Sequence, residues 1–421
     1  MILIKDGFVI SPKNNINARL DILIDSGKIV KIGNIIEDSN YKIINAEGLI
    51  VAPGLIDTHV HFREPGQEYK EDIHTGALAA AKGGFTTVIC MANTNPIIDN
   101  IETLKYCINK SKYEKINVLF ASAISNGFNG KELVDMKLMK EEGAILFTDD
   151  GLPLSDSGIV LKAMENDKEL DMILSFHEED PNLIGSLGVN KGEVSKKLGV
   201  EGAPSIAEDV LVARDCALAL STGASITLQH ISSGDSVDII RLFKKLGANI
   251  HAEVTPHHFT LTDDIVIEKK SLAKCNPPIR TKYHQNKILE GLRDGTIEVI
   301  ATDHAPHSME EKNRGLMNSP SGLIGLETSL ALGVTNLVEE NIISLEELIN
   351  KMSVNPSDIY KLNKGIIEEN CTADIVIFDK DESWEVKDFL SKSTNSPFIG
   401  ETLKGKVKYT ICEGKIVYED K

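Results

Sequence analysis

No run of apolar residues in this sequence approaches the roughly 20 needed to cross a bilayer as a helix. The N-terminal stretch MILIKDGFVISPKNN places Lys5 and Asp6 inside what would have to be an apolar anchor or signal core. Neither a membrane span nor a targeting peptide is expected. Positive charge is scarce: 45 Lys and Arg against 63 Asp and Glu leave a net charge of −18. That balance argues against a phosphate-binding stripe, and so against nucleic acid as a partner. The acidic residues are spread along the chain, the pattern of a solvated surface. Cysteine is sparse as well. Cys90, Cys107, Cys216, Cys275, Cys371 and Cys412 include no CxxC spacing, so neither a zinc ribbon nor a dithiol redox site is expected. Scattered single thiols fit buried side chains in a reducing compartment, and a cytoplasmic location is expected. No short repeat or low-complexity tract is present.

What the chain does have is two kinds of pattern. The first fifty residues (ILIKDGFVI, RLDILIDSGKIVKIG, YKIINAEGLIVA) and the last sixty (TADIVIFDK, KVKYTICEGKIVYED) alternate apolar and polar residues between Asp-Gly, Ser-Gly and Glu-Gly turns. This is the mark of short antiparallel strands. One small β-sandwich built from both termini, residues 1–53 and 359–421, accounts for both ends. Between them, over 54–358, eight apolar segments alternate with helical stretches such as TGALAAAKGG and IAEDVLVARDCALAL. The segments are LIDTHVHF, TTVICMAN, INVLFASAI, AILFTDD, MILSFHEE, SITLQHI, NIHAEVT and VIATDHA. Eight β/α units over about 300 residues predict an α/β fold, a (β/α)8 TIM-type barrel.

Six of these strands start apolar and end in His, Asp or Asn. Such groups do not belong in a barrel core without a partner, and the C-terminal strand ends are where barrels of this kind carry their sites. His59 and His61, two apart on the first strand, point the same way. With Asp149 and Asp150 ending strand four, His177 strand five, His230 strand six and Asp303 strand eight, the set suits a metal that takes imidazole nitrogen and carboxylate oxygen, as zinc does. Asp149 and Asp150 face opposite sides of a strand, so one of them reaches the metal. His251, His257 and His258 are read as groups that support the metal ligands or pack, His74 and His284 as surface residues, and His304 as turned away from its neighbour Asp303. The stretch SMEEKNRGLMNSPSGLIG is read as a surface loop or a flap over the site.

In order along the chain, GLIDTHVHFREPG, MANTNP, FTDDG, FHEE, QHISS, EVTPHH, CNPPIR and TDHAPH resemble the motifs of the amidohydrolase superfamily, and specifically those of the longer, bacterial-type dihydroorotases. The resemblance covers nearly the whole chain and implies a zinc-dependent cyclic amidohydrolase. It implies two Zn2+ per chain, or one held tightly and a second weakly. His59 and His61 would bind the first ion, His177 and His230 the second, and Asp150 would stand where hydantoinases and allantoinases carry a carbamylated lysine. Asp303 would bind metal and move protons. Arg63, Asn93 and His307 would hold a substrate carboxylate, with Asn276 and the backbone at Ser321 and Gly322 contacting the ring. The family usually has Phe-Gly at that last pair, so the side-chain contact from position 321 departs from its pattern. The implied reaction is the reversible cyclisation of N-carbamoyl-L-aspartate to L-dihydroorotate. The family also implies a homodimer and, in some relatives, association with aspartate carbamoyltransferase. The alternatives are a sister dihydropyrimidinase, hydantoinase or allantoinase, which the missing lysine disfavours, and a metal-free assembly protein, which the filled ligand positions disfavour.

Overall fold

The computed structural model describes residues 1–420. The two ends of the chain form one eight-stranded sheet. The N-terminal part supplies β1 (Ile2–Ser11), β2 (Ile16–Asp25), β3 (Lys28–Gly33), β4 (Lys42–Asn45) and β5 (Ile50–Pro53). The C-terminal part supplies β13 (Ile375–Glu385), β14 (Thr402–Cys412) and β15 (Lys415–Glu419). The strand order is β15-β14-β13-β5-β1-β2-β3, with β4 also on β1. The join between the ends is β5, parallel to β1 at Phe8–Ile50 and Val9–Val51 and antiparallel to β13 at Val51–Ile377.

β1 forks. Its first half, Ile2–Lys5, pairs with β4, and its second half pairs with β5. Between them the register against β2 shifts from Ile4 to Gly7, and Asp6 takes a left-handed φ of 58°. The Asp21 carboxylate accepts the Asp6 amide at 2.9 Å and stabilises the bulge. A side chain at position 7 would put its Cβ 2.4 Å from a Val51 methyl, so glycine is required at this close approach. The fork folds the sheet over a core of its own, including Ile4, Val9, Ile22, Ile24, Val51, Ile375, Ile377 and Ile411.

The barrel follows the alternating pattern. β6 (Leu55–Val60), β7 (Phe85–Cys90) and β8 (Asn117–Phe120) form one parallel sheet. β9 (Leu174–Phe176), β10 (Ile226–Leu228), β11 (Ile250–Val254) and β12 (Val299–Ile300) form another. Single bridges close the circle, Ser122–Phe147 and Phe147–Leu174 on one side and Val60–His304 on the other. The fourth expected strand is therefore shorter than AILFTDD suggests. Its amides do reach both neighbours, Ile145 to Phe120 at 3.0 Å and Phe147 to Ile173 at 3.1 Å. The chain then leaves the barrel wall at Asp149, whose carbonyl accepts the Leu152 amide in a tight turn. TGALAAAK lies in the helix Ile73–Lys82, which opens with a reciprocal Asp72–Thr75 cap and ends at Gly83. IAEDVLVARDCALAL lies in Ile206–Thr222. Phe85, Phe120 and Phe147 are fully buried in the main core. No helix among the described residues is long and apolar enough to cross a membrane.

Candidate active site

At the C-terminal ends of the barrel strands the polar residues converge on Asp150. His59 donates from Nδ1 to Glu253 at 2.6 Å, which turns its Nε2 towards Asp150 (3.4 Å) and Asp303 (3.6 Å). His61 is held in the same way. Its Nδ1 lies 2.8 Å from the Asn93 side-chain oxygen, and its Nε2 faces Asp303 at 2.9 Å and Asp150 at 3.4 Å. On the far side of Asp150 stand His177 (3.7 Å) and His230 (3.8 Å), whose facing nitrogens are 3.0 Å apart. Two sets of three potential ligands result, His59–His61–Asp150 and Asp150–His177–His230, with Asp150 common to both. Asp149 turns the other way, its carboxylate accepting the amides of Ile124 and Ser125 and the Ser125 hydroxyl.

This donor set fits a cation. Nε2 of His59 and Nδ1 of His230 are buried and have no hydrogen-bond partner among the described residues, and buried polar atoms of this kind normally have one. Burial pushes the Asp150 carboxyl up, but the charge of His59 and hydrogen bonds from His177 and His230 outweigh it and hold the group well below the usual range. Asp303 follows the same logic. Burial raises it, His61 and His59 lower it further, and it comes to about 2. Both carboxylates stay ionised in an environment that would otherwise neutralise them. His177 is lowered by burial yet raised to about 9 by Asp150 and Glu179. The site concentrates negative charge that a divalent ion would balance in place of those protons. Arg63, His230 and Asp303 have left-handed φ values of 60°, 35° and 46°, a conformation that costs non-glycine residues energy and recurs at functional sites.

A cavity of about 230 Å³ opens above the cluster. Arg63, Asn93, Asn276, His307, Ser321 and Gly322 all line it, as do His61, Asp150, His177, His230 and Asp303. His59 lies beneath, 1% exposed. The Ser321 hydroxyl donates to Asn276 at 3.1 Å. The stretch after strand eight is tied down, because buried Lys312 donates to the carbonyls of Pro320 and Gly322 and Lys274 to those of Met317 and Ser319.

Three groups about the site escaped the sequence reading. Glu253, behind His59, also accepts from the Thr58 hydroxyl at 3.0 Å. Glu179 faces His177 at 3.3 Å. Lys70 approaches His307 at 3.3 Å. Glu253 had a signal: a carboxylate in the apolar strand IHAEV needs a buried partner. His284, read as a surface residue, is half-buried and accepts the Gly234 amide at 2.9 Å. His257, His258 and Cys275 also gather potential ligand atoms, but His258 spends both nitrogens on Thr255 and the Pro277 carbonyl. His304 turns to Glu71 and the Gly325 amide.

Comparison with known proteins shows the family. Residues 48–236 match the family model described as dihydro-orotase-like. The dihydroorotase of Clostridioides difficile (strain 630) is 61% identical over 419 residues, covering 99% of this chain and 100% of its own. That of Lactococcus lactis subsp. lactis (strain IL1403) is 52% identical over 421 residues, covering all of both. Among solved structures, the L-hydantoinase (dihydropyrimidinase) of Arthrobacter aurescens superposes with a TM-score of 0.89 at 23% identity, over 99% of this chain and 96% of that one. A D-hydantoinase from Thermus sp. gives 0.86 at 24%, over 100% and 96%. The structural likeness establishes the barrel-and-sandwich fold. With the full-length identity of the sequence relatives it places the chain in the dihydroorotase family of cyclic amidohydrolases.

Proposed function

We propose that this chain catalyses the dihydroorotase reaction of pyrimidine biosynthesis, the reversible closure of N-carbamoyl-L-aspartate to L-dihydroorotate and water. The observation that carries the reading is the sharing of Asp150 between two sets of ligands directly beneath a pocket that also holds Arg63. Zinc is the ion we assign, because imidazole nitrogen and carboxylate oxygen are its ligands. His59, His61, Asp150 and Asp303 would hold one ion, and Asp150, His177 and His230 would hold a second. Bound there, zinc would lower the pKa of a water towards roughly 7 and polarise the scissile carbonyl.

The chain's own residues do the rest. Glu253 and Asn93 fix the proton of His59 and His61 on Nδ1 and leave Nε2 free, as partners of metal-bound histidines do. Arg63 offers two parallel donors to the ring carboxylate, beside Asn93 and His307. Asn276 and the backbone at Ser321 and Gly322 seat the ring. In hydrolysis, water attacks the ring amide carbonyl, Asp303 accepts its proton, the carbon–nitrogen bond breaks, and Asp303 delivers that proton to the departing nitrogen. Closure runs the same steps backwards. We assign residues 54–358 to the catalytic barrel and 1–53 with 359–421 to the sandwich. We further propose a cytoplasmic homodimer able to associate with aspartate carbamoyltransferase, with no nucleic-acid partner.

The test is hydrolysis of L-dihydroorotate by metal-replete protein, followed spectrophotometrically, with dihydrouracil alongside. The two share the scissile amide and differ by one carboxylate. A site built to pair that charge should favour dihydroorotate by about 10⁴ in kcat/KM. Equal rates on both would place the chain with the dihydropyrimidinases, and full activity after exhaustive chelation would sink the metal assignment.

A further inference from the structure

Lys70 sits between β6 and the helix Ile73–Lys82 with 6% of its surface exposed. It does not line the pocket. Its ammonium lies 3.3 Å from Nδ1 of His307 and 3.5 Å from the Glu311 carboxylate. Glu311 is already engaged, accepting from the Tyr69 hydroxyl at 2.7 Å and the Ser308 amide at 3.1 Å. On the other edge of the ring, His307 Nε2 lies 2.9 Å from the Ser321 carbonyl and 3.4 Å from an Arg63 nitrogen.

A neutral imidazole has one N–H and one lone pair. With the proton on Nδ1, the ring would turn an N–H towards the ammonium and a lone pair towards a carbonyl 2.9 Å away, acceptor against acceptor. With the proton on Nε2, the ring donates to Ser321 and accepts from Lys70, and both edges are satisfied. The doubly protonated ring is excluded, because burial, then the charges of Arg63, Lys70 and Lys312, drive His307 far below its usual range. Nε2–H, donating to the Ser321 carbonyl, lies beside the Arg63 guanidinium, so a carboxylate entering there would meet the guanidinium and share the Nε2 hydrogen with that carbonyl. Water can accept from each of them singly, but a carboxylate brings two acceptor oxygens and the negative charge that the guanidinium favours.

We propose that Lys70 is a positioning residue for substrate recognition, holding His307 as the neutral Nε2–H tautomer so that the ring presents a donor to the substrate carboxylate. This rests on the reading that Arg63, Asn93 and His307 grip that carboxylate. Without the ammonium, donation from Nδ1 to Glu311, 3.4 Å away, competes with donation from Nε2 to Ser321, and an Nδ1–H population appears. Nε2 would then offer the incoming carboxylate a lone pair, which repels it.

The experiment compares wild type, Lys70→Met, Lys70→Arg and Arg63→Leu on L-dihydroorotate and dihydrouracil. Zinc content is measured for each. The side-chain ¹⁵N signals of His307, assigned with His307→Gln, report the tautomer directly. Wild type should show His307 protonated on Nε2. Lys70→Met should raise KM for dihydroorotate by about tenfold, the scale of one charge-assisted contact, with kcat changed less than about threefold. It should act less on dihydrouracil, keep its zinc, and show an Nδ1–H population. Lys70→Arg should recover most of the KM and the Nε2–H signal. An Nδ1–H ring in wild type would overturn the proposal even if no variant folds. So would Lys70→Met with KM and tautomer both unmoved. Arg63→Leu separates the two layers. If it closes the gap between the substrates while Lys70→Met does nothing, the role of Lys70 fails alone. If Arg63→Leu leaves the gap intact, the carboxylate reading has failed first.

Discussion

Asp149 and Asp150 are adjacent, both buried and both acidic, and the structure gives them opposite tasks. Asp149 accepts three hydrogen bonds from Ile124 and Ser125 and so fastens the loop after β8. The Asp150 carboxylate accepts from the Asn93 side chain at 3.2 Å, from no backbone amide among the described residues, and faces four imidazoles. Asp149→Ala should therefore lose stability, about 2–4 kcal/mol for several orphaned buried donors, while keeping its zinc. Asp150→Ala should lose zinc and activity by orders of magnitude with a smaller fall in melting temperature. Metal analysis and thermal denaturation of the two variants decide it, and the reverse ranking would exchange their roles. At this scale the sequence was legible where chemistry is concentrated at strand ends. His59, His61, His177, His230 and Asp303 stand out because a barrel has no other use for so many polar groups there. Lys70 was not legible. It lies in a loop among Glu68, Tyr69 and Glu71, where a lysine reads as solvated surface, and its burial comes from the chain folding back at 308–311.

Elements show where periodicity speaks and where it misleads. The helix Ser157–Leu170 buries Val160, Ala163, Met164 and Asp167, the spacing of one apolar face. Asp167 takes a slot where an apolar residue belongs. Neither of its oxygens has a hydrogen-bond partner among the described residues, and burial, with Asp171 nearby, raises its carboxyl to about 7. The folded protein thus holds this proton more tightly than the unfolded chain, whose value lies near 3.8. Stability is full below about pH 4 and falls as pH rises through about 7, by at most about 4 kcal/mol for a shift of this size. Asp167→Asn cannot ionise, so its stability relative to wild type should grow between pH 4.5 and 8. Urea denaturation at the two pH values measures it, and parallel changes in both proteins would refute it. The fourth barrel strand is the opposite case. AILFTDD reads as seven residues of strand, yet its backbone pairs with its neighbours only over Ile145–Thr148, with both bridges at Phe147. What ends it is the turn closed by the Asp149 carbonyl, and no alternation of apolar residues encodes such a turn.

For the whole molecule, the alternating ends and the βα middle were enough to expect a barrel with a sandwich from both termini. The fork in β1 was not, because it depends on which partners arrive at Ile2–Lys5 and at Phe8–Val9, information held elsewhere in the chain. The terminal sheet is also bound into the barrel. The Thr410 hydroxyl donates to Ala81 at 2.6 Å, Asn117 approaches the Cys412 sulfur, and the side chain of Leu403 joins the main core. Removing residues 401–421 deletes β14 and β15, exposes one edge of β13 and strips the cover from the helix Ile73–Lys82. The truncated chain should fail to accumulate as folded protein, and a soluble, zinc-loaded truncation would contradict that.

The pairing of β5 with β13 also sets a clock. Pro53 lies opposite Ile375, so a strand made early waits for a partner roughly 320 residues away. At about 5–20 residues per second, a ribosome takes roughly 16–64 s to supply it. Through that interval the edge formed by Ile50, Val51 and Ala52 has no partner, and an unpaired apolar strand invites pairing with other chains. The N-terminal strands are thus dependants of a segment translated long after them. Chains stalled before Glu401 should be digested readily by protease on the ribosome, and chains whose Cys412 has cleared the exit tunnel should resist it. Protection appearing as soon as the barrel segment had emerged would mean that the barrel does not need its terminal sheet in order to fold.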